Sequence, residues 1–233
     1  QLPEKSNYQA MEQIGDNIMT WTIPVSSDEP CITIVNADNG KEVSSLWKGP
    51  RILNSLSGGS FYSYDGKTYF APAFHNNEIL EITEDSLKLA YKWDFGKDNI
   101  DISKYTFTLT DDNQAEEGRL MTDYLGNGTI PYLLGSQYQN SKYFYVCYSY
   151  GSFPNQTIKH LFYLKSDGKS FFFKDTQENI SIRPQAFEEE CIVQFASYDD
   201  LEAYKSILSP AEYQKIISRN EEDNPCLIKL YFK

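Results

Sequence analysis

The stretch SFYSYDGKTYFAPAFHNNEILEITEDSLKLAYKWDFG, from Ser60 to Gly96, indicates the fold of the whole chain. It contains four short runs rich in tyrosine, phenylalanine and aliphatic residues, separated by turn residues at Asp65-Gly66, Asn76-Asn77 and Asp85. Asp-Gly between two alternating runs is the strongest local signal of a hairpin, because both residues of such a turn need positive φ. The stretch therefore predicts a four-stranded antiparallel meander.

Comparable blocks recur along the chain at a spacing of roughly 45 residues, which is close to the period of a propeller blade. Residues 16–47 predict three strands with a turn at Asn39-Gly40. Residues 130–175 predict another block with a hairpin turn at Asp167-Gly168, and residues 181–233 predict a less regular one. These blocks predict an all-β fold, a β-propeller of four-stranded antiparallel blades with about four blades in this chain.

A helical segment is expected inside the last block. Residues 197–220, SYDDLEAYKSILSPAEYQKIISRN, have apolar positions at helical spacing, and Ser209-Pro210 is typical of an N-cap followed by proline at the first helical position. We expect a short helical insertion near the C-terminus of one propeller domain that spans residues 1–233.

Several of these segments resemble a known family. GKTYFAPAFHNNEILEITEDSLKLAYKWDFGK, KYFYVCYSYG, HLFYLKSDGK and the ending NEEDNPCLIKLYFK are similar to the 6-bladed β-propeller lipoproteins of gram-negative bacterial envelopes. In that family a proline-aromatic strand end leads to a short N/D-x-I strand, a DSL turn and an aromatic-x-x-DFG strand. The resemblance implies six blades, so we expect that N-terminal blades are missing from this chain, or that a partner packs against a shortened one.

The resemblance also implies a location and a function. It implies an exported protein of the cell envelope, periplasmic or anchored to the outer membrane by a lipid on an upstream cysteine. The expected function is noncatalytic binding of a ligand such as a glycan or peptide, or of a partner, as an accessory to an outer-membrane transporter complex in nutrient uptake. Two alternatives stay open: a hydrolase or lyase with its site in the central funnel, and a scaffold that docks through an exposed blade edge.

Five residues on predicted strand ends and inter-blade connections are candidates for ligand binding. Aromatic platforms and arginine forks suit a sugar ring or a peptide carboxylate. The alternative for most of them is blade packing or surface charge, and for the histidine an ordinary turn. The candidates are Trp47, Arg51, His75, Arg119 and Tyr124.

Charge and hydropathy exclude some classes of function. The chain has 33 acidic and 21 basic residues, a net charge of -12, so a nucleic-acid backbone would be repelled and no nucleic-acid partner is expected. No stretch approaches the roughly 20 apolar residues that span a bilayer, so we expect no transmembrane segment in this chain. The acidic run FEEEC, residues 187–191, is expected to be a solvated turn.

No motif assigns a catalytic residue, a metal or a cofactor. The two histidines, His75 and His160, are far apart, and no Gly-x-Ser-x-Gly elbow accompanies them. His160 lies in the middle of a predicted strand, where a packed or surface residue is expected. The cysteines form no CxxC pair, which argues against zinc, and buried free thiols are favoured over disulfides for them. These cysteines are Cys31, Cys147, Cys191 and Cys226.

Overall fold

A computed structural model describes most of the chain and confirms that it is mainly β. The described residues are 8–22, 30, 32–47, 60–71, 77–83, 86–99, 119, 133–150, 156–196, 198–220 and 222–232. Their strands form three four-stranded sheets and one three-stranded sheet, each built from strands consecutive in the chain. The chain divides into two compact units, residues 1–135 with 149–157, and residues 136–148 with 158–233.

Sheet 1 in the first unit has one strand more than the sequence predicts. Its order is β1 (Tyr8–Ile14), β2 (Asn17–Thr22), β3 (Ile32–Asn36) and β4 (Glu42–Trp47). The prediction of a three-stranded meander is therefore wrong, because it lacks β1. This strand pairs with β2 across a turn that has positive φ at Gly15. Its sequence YQAMEQI alternates half-buried and exposed positions, but Met11 is exposed and Glu12 is half-buried, so the alternation of apolar and polar residues is weak.

Sheet 2 confirms the meander predicted from residues 60–96. Its order is β5 (Ser60–Tyr64), β6 (Lys67–Ala71), β7 (Glu78–Ile82) and β8 (Leu87–Lys92). Asp65 and Gly66 both have positive φ, 51° and 70°, as a two-residue hairpin turn requires.

The DFG segment that ends this block is a structural turn. Asp94 Oδ1 accepts a hydrogen bond from the backbone N–H of Gly96 at 2.8 Å, and Asn99 Oδ1 accepts one from the N–H of Phe95 at 2.9 Å. Asn99 also donates through Nδ2 to Asp94. These bonds close a short 3₁₀ helix, Gly96–Asp98, immediately after the last strand of the sheet.

One hydrophobic core joins the two sheets of the first unit. Sheet 1 contributes Met19, Trp21, Ile32 and Ile34, and sheet 2 contributes Phe70, Leu80 and Ile82. The Phe70 ring is fully buried and lies 6.0 Å from Trp21 and 5.3 Å from Phe61. The two sheets therefore pack face to face.

Sheets 3 and 4 give the second unit most of its structure. Sheet 3 has the order β12 (Lys169–Phe173), β11 (Thr157–Leu164), β10 (Tyr143–Tyr150) and β9 (Leu133–Gln139). Sheet 4 has the order β13 (Ala186–Phe187), β14 (Cys191–Ala196) and β15 (Cys226–Tyr231). The hairpin predicted at Asp167-Gly168 is confirmed, with Gly168 at φ 70°, and its turn spans residues 165–168.

Aromatic rings form the core between these two sheets. Tyr145, Phe162 and Ile192 are its buried residues, and half-buried rings surround them. The Tyr145 ring lies 4.8 Å from Phe162 and 5.6 Å from Phe187, and Phe187 lies 5.3 Å from Phe232. The second unit is thus also a pair of sheets packed face to face.

The predicted helical insertion is confirmed between β14 and β15. It consists of a 3₁₀ helix, Tyr198–Ser206, and an α-helix, α1 (Pro210–Ile217). Ser209 caps α1 as expected: its Oγ accepts from the N–H of Glu212 at 3.3 Å, and the Glu212 carboxylate accepts from the N–H of Ser209 at 3.0 Å. Leu201 and Tyr204 of the 3₁₀ helix pack on sheet 4.

Candidate docking edge

The structure leaves the five residues predicted for ligand binding untested as a site. Trp47 is the last residue of β4 and pairs with Ile32. Arg119 is an exposed residue. Arg51, His75 and Tyr124 lie outside the described residues. A common binding site for these five residues remains a prediction.

His160 is a packed core residue, which is one of the two alternatives that its position in the middle of a strand left open. Its Nδ1 lies 2.9 Å from the Tyr145 hydroxyl, and its ring stacks on Tyr145 at 6.1 Å and lies 5.4 Å from Phe173. Burial lowers the pKa of His160 below its usual 6.5, although the charge of Asp175 opposes this change. The ring is therefore neutral at neutral pH and is enclosed by aromatic neighbours.

The described cysteines are free thiols, as favoured from the sequence, but of the three Cys191 alone is buried, whereas the other two are half-buried. They are Cys147, Cys191 and Cys226, while Cys31 lies outside the described residues. Burial raises the pKa of Cys147 to about 11, so this thiol is protonated and a poor nucleophile at neutral pH. In the part of the chain that the structure describes, no three His, Cys, Asp or Glu side chains are grouped as a metal site would require.

The acidic turn after β13 has a structural role that its composition did not indicate. Its side chains are exposed, but Glu188 pairs with Lys229 at 2.8 Å and Glu190 pairs with Lys142 at 2.7 Å. Glu189 accepts hydrogen bonds from the N–H and hydroxyl of Ser141. The expectation of a merely solvated turn is therefore incomplete, because three consecutive carboxylates each have a defined partner in the second unit.

Asn140 connects the same turn to sheet 3 from a buried position. Its Oδ1 accepts from the N–H groups of Lys142 at 2.9 Å and Tyr143 at 2.7 Å, which closes the β9–β10 turn. Its Nδ2 donates to the carbonyl oxygen of Glu188 at 2.9 Å. One amide side chain thus satisfies backbone groups of both sheets.

Among the side chains of sheet 3 that the structure describes, the most exposed aromatic ones lie on β12, which is the last strand of that sheet. Phe171 is 52% exposed and Phe172 is 67% exposed. Within the described ranges, no strand pairs with the outer side of β12. We call β12 and the adjoining strand β11, with Lys159, Lys169, Phe171, Phe172 and Lys174, the docking edge.

The two exposed rings of the docking edge lie on opposite faces of the sheet. Phe171 pairs with Phe162, and Phe172 pairs with Leu161. Directly paired residues share a face and successive residues alternate. The Phe171 ring therefore extends the face that carries the aromatic core, whereas the Phe172 ring lies on the other face, with the Lys159 ammonium 5.7 Å from its centroid.

The docking edge belongs to a basic segment of an acidic chain. Residues 157–175, which contain β11 and β12, have four lysines and two aspartates, a net charge of +2, whereas the whole chain has a net charge of -12. Lys169 pairs with Asp167 at 2.9 Å and Lys174 is 3.9 Å from Asp175. All four of these side chains are more than a third exposed, so water screens both pairs.

Sheet 4 offers a second exposed apolar surface with a different character. Phe195 and Leu227 face each other across β14 and β15, and they are 52% and 58% exposed. The ion pair between Lys229 and Glu188 lies along the same strand, between Leu227 and Tyr231. This surface has an exposed phenylalanine, Phe195, on a strand that is paired on both sides, so it serves as a control for the docking edge.

The sequence offered docking through an exposed blade edge as an alternative but did not assign it to a strand, and the run KSFFFK (169–174) indicates only that apolar side chains lie on both faces of one strand. Three consecutive phenylalanines between lysines put apolar side chains on both faces of one strand, which is unusual at the edge of a sheet. No helix in the described part of the chain is long and apolar enough to cross a membrane. No protein-family model matches the chain, and a comparison with curated proteins found no match.

Proposed function

We propose that this protein is a noncatalytic binding protein of the bacterial cell envelope, built from β-propeller blades, and that it binds a partner through the docking edge. Envelope location, and a role accessory to outer-membrane nutrient uptake, rest on the resemblance of its DFG and Asn-Pro segments to the propeller lipoproteins.

The arrangement of the sheets supports the propeller. Each sheet is made of strands consecutive in the chain, and in each unit two such sheets pack face to face through large apolar side chains. Blades of a propeller are four-stranded meanders packed in this way. Sheet 4 differs because it has three strands, with the helical insertion between its last two.

The observation that carries the binding function is the exposure of Phe171 and Phe172 on an edge strand. Burying a phenylalanine ring fully contributes roughly 1.5–3 kcal/mol, so two rings held on a rigid sheet suit the centre of an interface. Two of the described groups that could act in catalysis are unsuited to it: His160 is hydrogen-bonded in a core, and burial raises the pKa of Cys147.

The test is a comparison of matched variants on an unbiased set of probes. Wild-type protein, Phe172→Ser and Phe195→Ser are applied to an array of random 12-residue peptides and to a glycan array. We expect probes that bind the wild type and Phe195→Ser equally and bind Phe172→Ser at least tenfold more weakly, since tenfold corresponds to about 1.4 kcal/mol.

Two results would count against the proposal. Either no probe binds, or the bound probes depend on Phe172 no more than on Phe195. Chemical turnover of a bound probe would instead favour the hydrolase or lyase alternative. Fractionation of the native cells tests the envelope location separately, and recovery in the cytosol would contradict that part.

A further inference from the structure

We infer that the partner at the docking edge is an extended acidic peptide, which adds to β12 as a further strand of sheet 3. This inference rests on the proposed function and gives the chemistry of its ligand.

The backbone of β12 provides the first part of the argument. In an antiparallel sheet, one residue of an edge strand directs both its N–H and its C=O toward the neighbouring strand, and the next residue directs both of them away from it. Since β12 pairs with β11 over five residue pairs, its alternate residues present these groups on the outer side. An extended peptide can use them to form a ladder of main-chain hydrogen bonds, which a glycan cannot reproduce.

The side chains of the edge provide the second part. A strand added beside β12 would place successive side chains on opposite faces, so it would contact Phe171 on one face and Phe172 on the other. Both rings are more than half exposed and apolar, so they suit apolar side chains of a peptide. A sugar ring can also stack on an aromatic ring, so the main-chain ladder, and not the rings, favours a peptide over a glycan.

Charge selects an acidic peptide among extended peptides. Lys169 and Lys174 flank the three phenylalanines of β12, and Lys159 lies beside Phe172. The aspartates near Lys169 and Lys174 form exposed pairs that contribute little in water and leave the lysines able to bind a second carboxylate. The net negative charge of the whole chain matters less, because charges more than about 8 Å apart are screened at physiological salt.

The experiment uses four synthetic peptides of equal length carrying a fluorescent label. The first repeats Glu-Glu-Val-Val, the second Lys-Lys-Val-Val and the third Ser-Ser-Val-Val, so that each face of an added strand carries valine as well as the charged or polar residue. We call them the Glu-Val, Lys-Val and Ser-Val peptides. The fourth keeps the glutamates of the first but has proline at every valine, so that it loses N–H groups needed by the ladder. Fluorescence anisotropy measures their affinities for the full chain, and hydrogen exchange of the amides of β12 reports where they bind.

We expect the Glu-Val peptide to bind at least tenfold more tightly than the Lys-Val and proline peptides, with added salt weakening it. It should protect the amides of β12. Lys159→Gln with Lys174→Gln should weaken it several-fold, Phe172→Ser at least tenfold, and Lys205→Gln, an exposed lysine on the 3₁₀ helix of the insertion, should leave it unchanged.

If the Ser-Val and Glu-Val peptides bind equally at β12, the inference that the partner is acidic is wrong, while the proposal that the docking edge binds a partner is still supported. Equal binding of the proline peptide would overturn strand addition. If no peptide binds at β12, both this inference and peptide docking at the edge fail. If β12 is already protected without peptide in a chain that sediments as a dimer, a second copy occupies the edge and the acidic partner is overturned.

Discussion

In each of the two units a pair of sheets packs face to face, but the side chains between the sheets differ. In the first, Met19, Ile32 and Ile34 of sheet 1 meet Phe70 and Leu80 of sheet 2 in a core without a titratable group. In the second, rings of tyrosine and phenylalanine dominate the contact between sheets 3 and 4, and buried polar side chains lie among or next to them.

The buried polar side chains of the second unit are directional connections. Asn140 joins the β9–β10 turn to the acidic turn of sheet 4. Gln194 accepts from the N–H of Arg183 at 3.0 Å and donates to the carbonyl of Ser181 at 3.1 Å and to Tyr204. An aliphatic core tolerates small shifts, whereas a buried amide is satisfied in one arrangement only. The difference indicates that buried amides add hydrogen bonds to the second pair of sheets, whereas the buried polar side chains described in sheet 1 are threonines, such as Thr20, whose hydroxyl donates to the carbonyl of Thr33.

The largest effect should come from a truncation in the core of the first unit. Phe70→Ala removes a fully buried ring between the two sheets of the first unit and should reduce the free energy of unfolding by about 3–5 kcal/mol. Hydrogen exchange should show lost protection in β2, β3, β6 and β7. An equal loss of protection in β10 and β14 would contradict the division into two compact units.

A smaller effect should come from removing a directional connection. Asn140→Ala leaves backbone groups of Lys142, Tyr143 and Glu188 without their partner and should reduce the free energy of unfolding by about 1–3 kcal/mol, measured by urea denaturation.

The matched control for this variant is Asn36→Ala in the first unit. The Asn36 side chain accepts from the N–H groups of Asp38 and Asn39, both at 3.2 Å, in an exposed turn where water can replace it. It should cost less than Asn140→Ala. Equal losses would mean that the buried amide gives the second unit no particular dependence on hydrogen bonding.

The smallest effect should be the pH dependence that His160 confers on the second unit. Because burial lowers its pKa in the folded chain below 6.5, the unfolded chain binds more protons, and stability falls as the pH decreases from 6.5 toward the lowered value. His160→Phe should flatten this part of the urea-midpoint profile. Tyr145→Phe should lower the urea midpoint at pH 8 but leave its dependence on pH unchanged. If the urea midpoint of His160→Phe still falls with decreasing pH, other groups cause the pH dependence.

Local chemistry accounts for the part of the fold that the sequence predicts. Asp65-Gly66 and Ser209-Pro210 act within a few residues, so the hairpin of sheet 2 and the start of α1 are readable without the rest of the chain. The sequence did not predict strand β1 because its half-buried positions include Glu12 and Ala10, which are weak strand signals. The strand is formed by its pairing with β2, which composition does not indicate.

The docking edge could not be predicted in the same way. KSFFFK reads as a core strand, and its exposure depends on β12 being the last strand of sheet 3, which is a property of the assembled sheet. The role of the acidic turn also depends on Ser141, Lys142 and Lys229, which are distant in sequence. The five binding residues predicted from the sequence were chosen for their aromatic or arginine side chains, which do not indicate where a residue lies in the assembled sheets.

The division into two units also separates the optical signals of the protein. All three tryptophans, Trp21, Trp47 and Trp93, belong to the first unit, whereas the aromatic core of the second consists of tyrosine and phenylalanine. Indole fluorescence therefore follows the unfolding of the first unit alone, while far-ultraviolet circular dichroism follows both. Coincidence or separation of the two melting curves would measure, without any label or substitution, how strongly one half of the chain depends on the other.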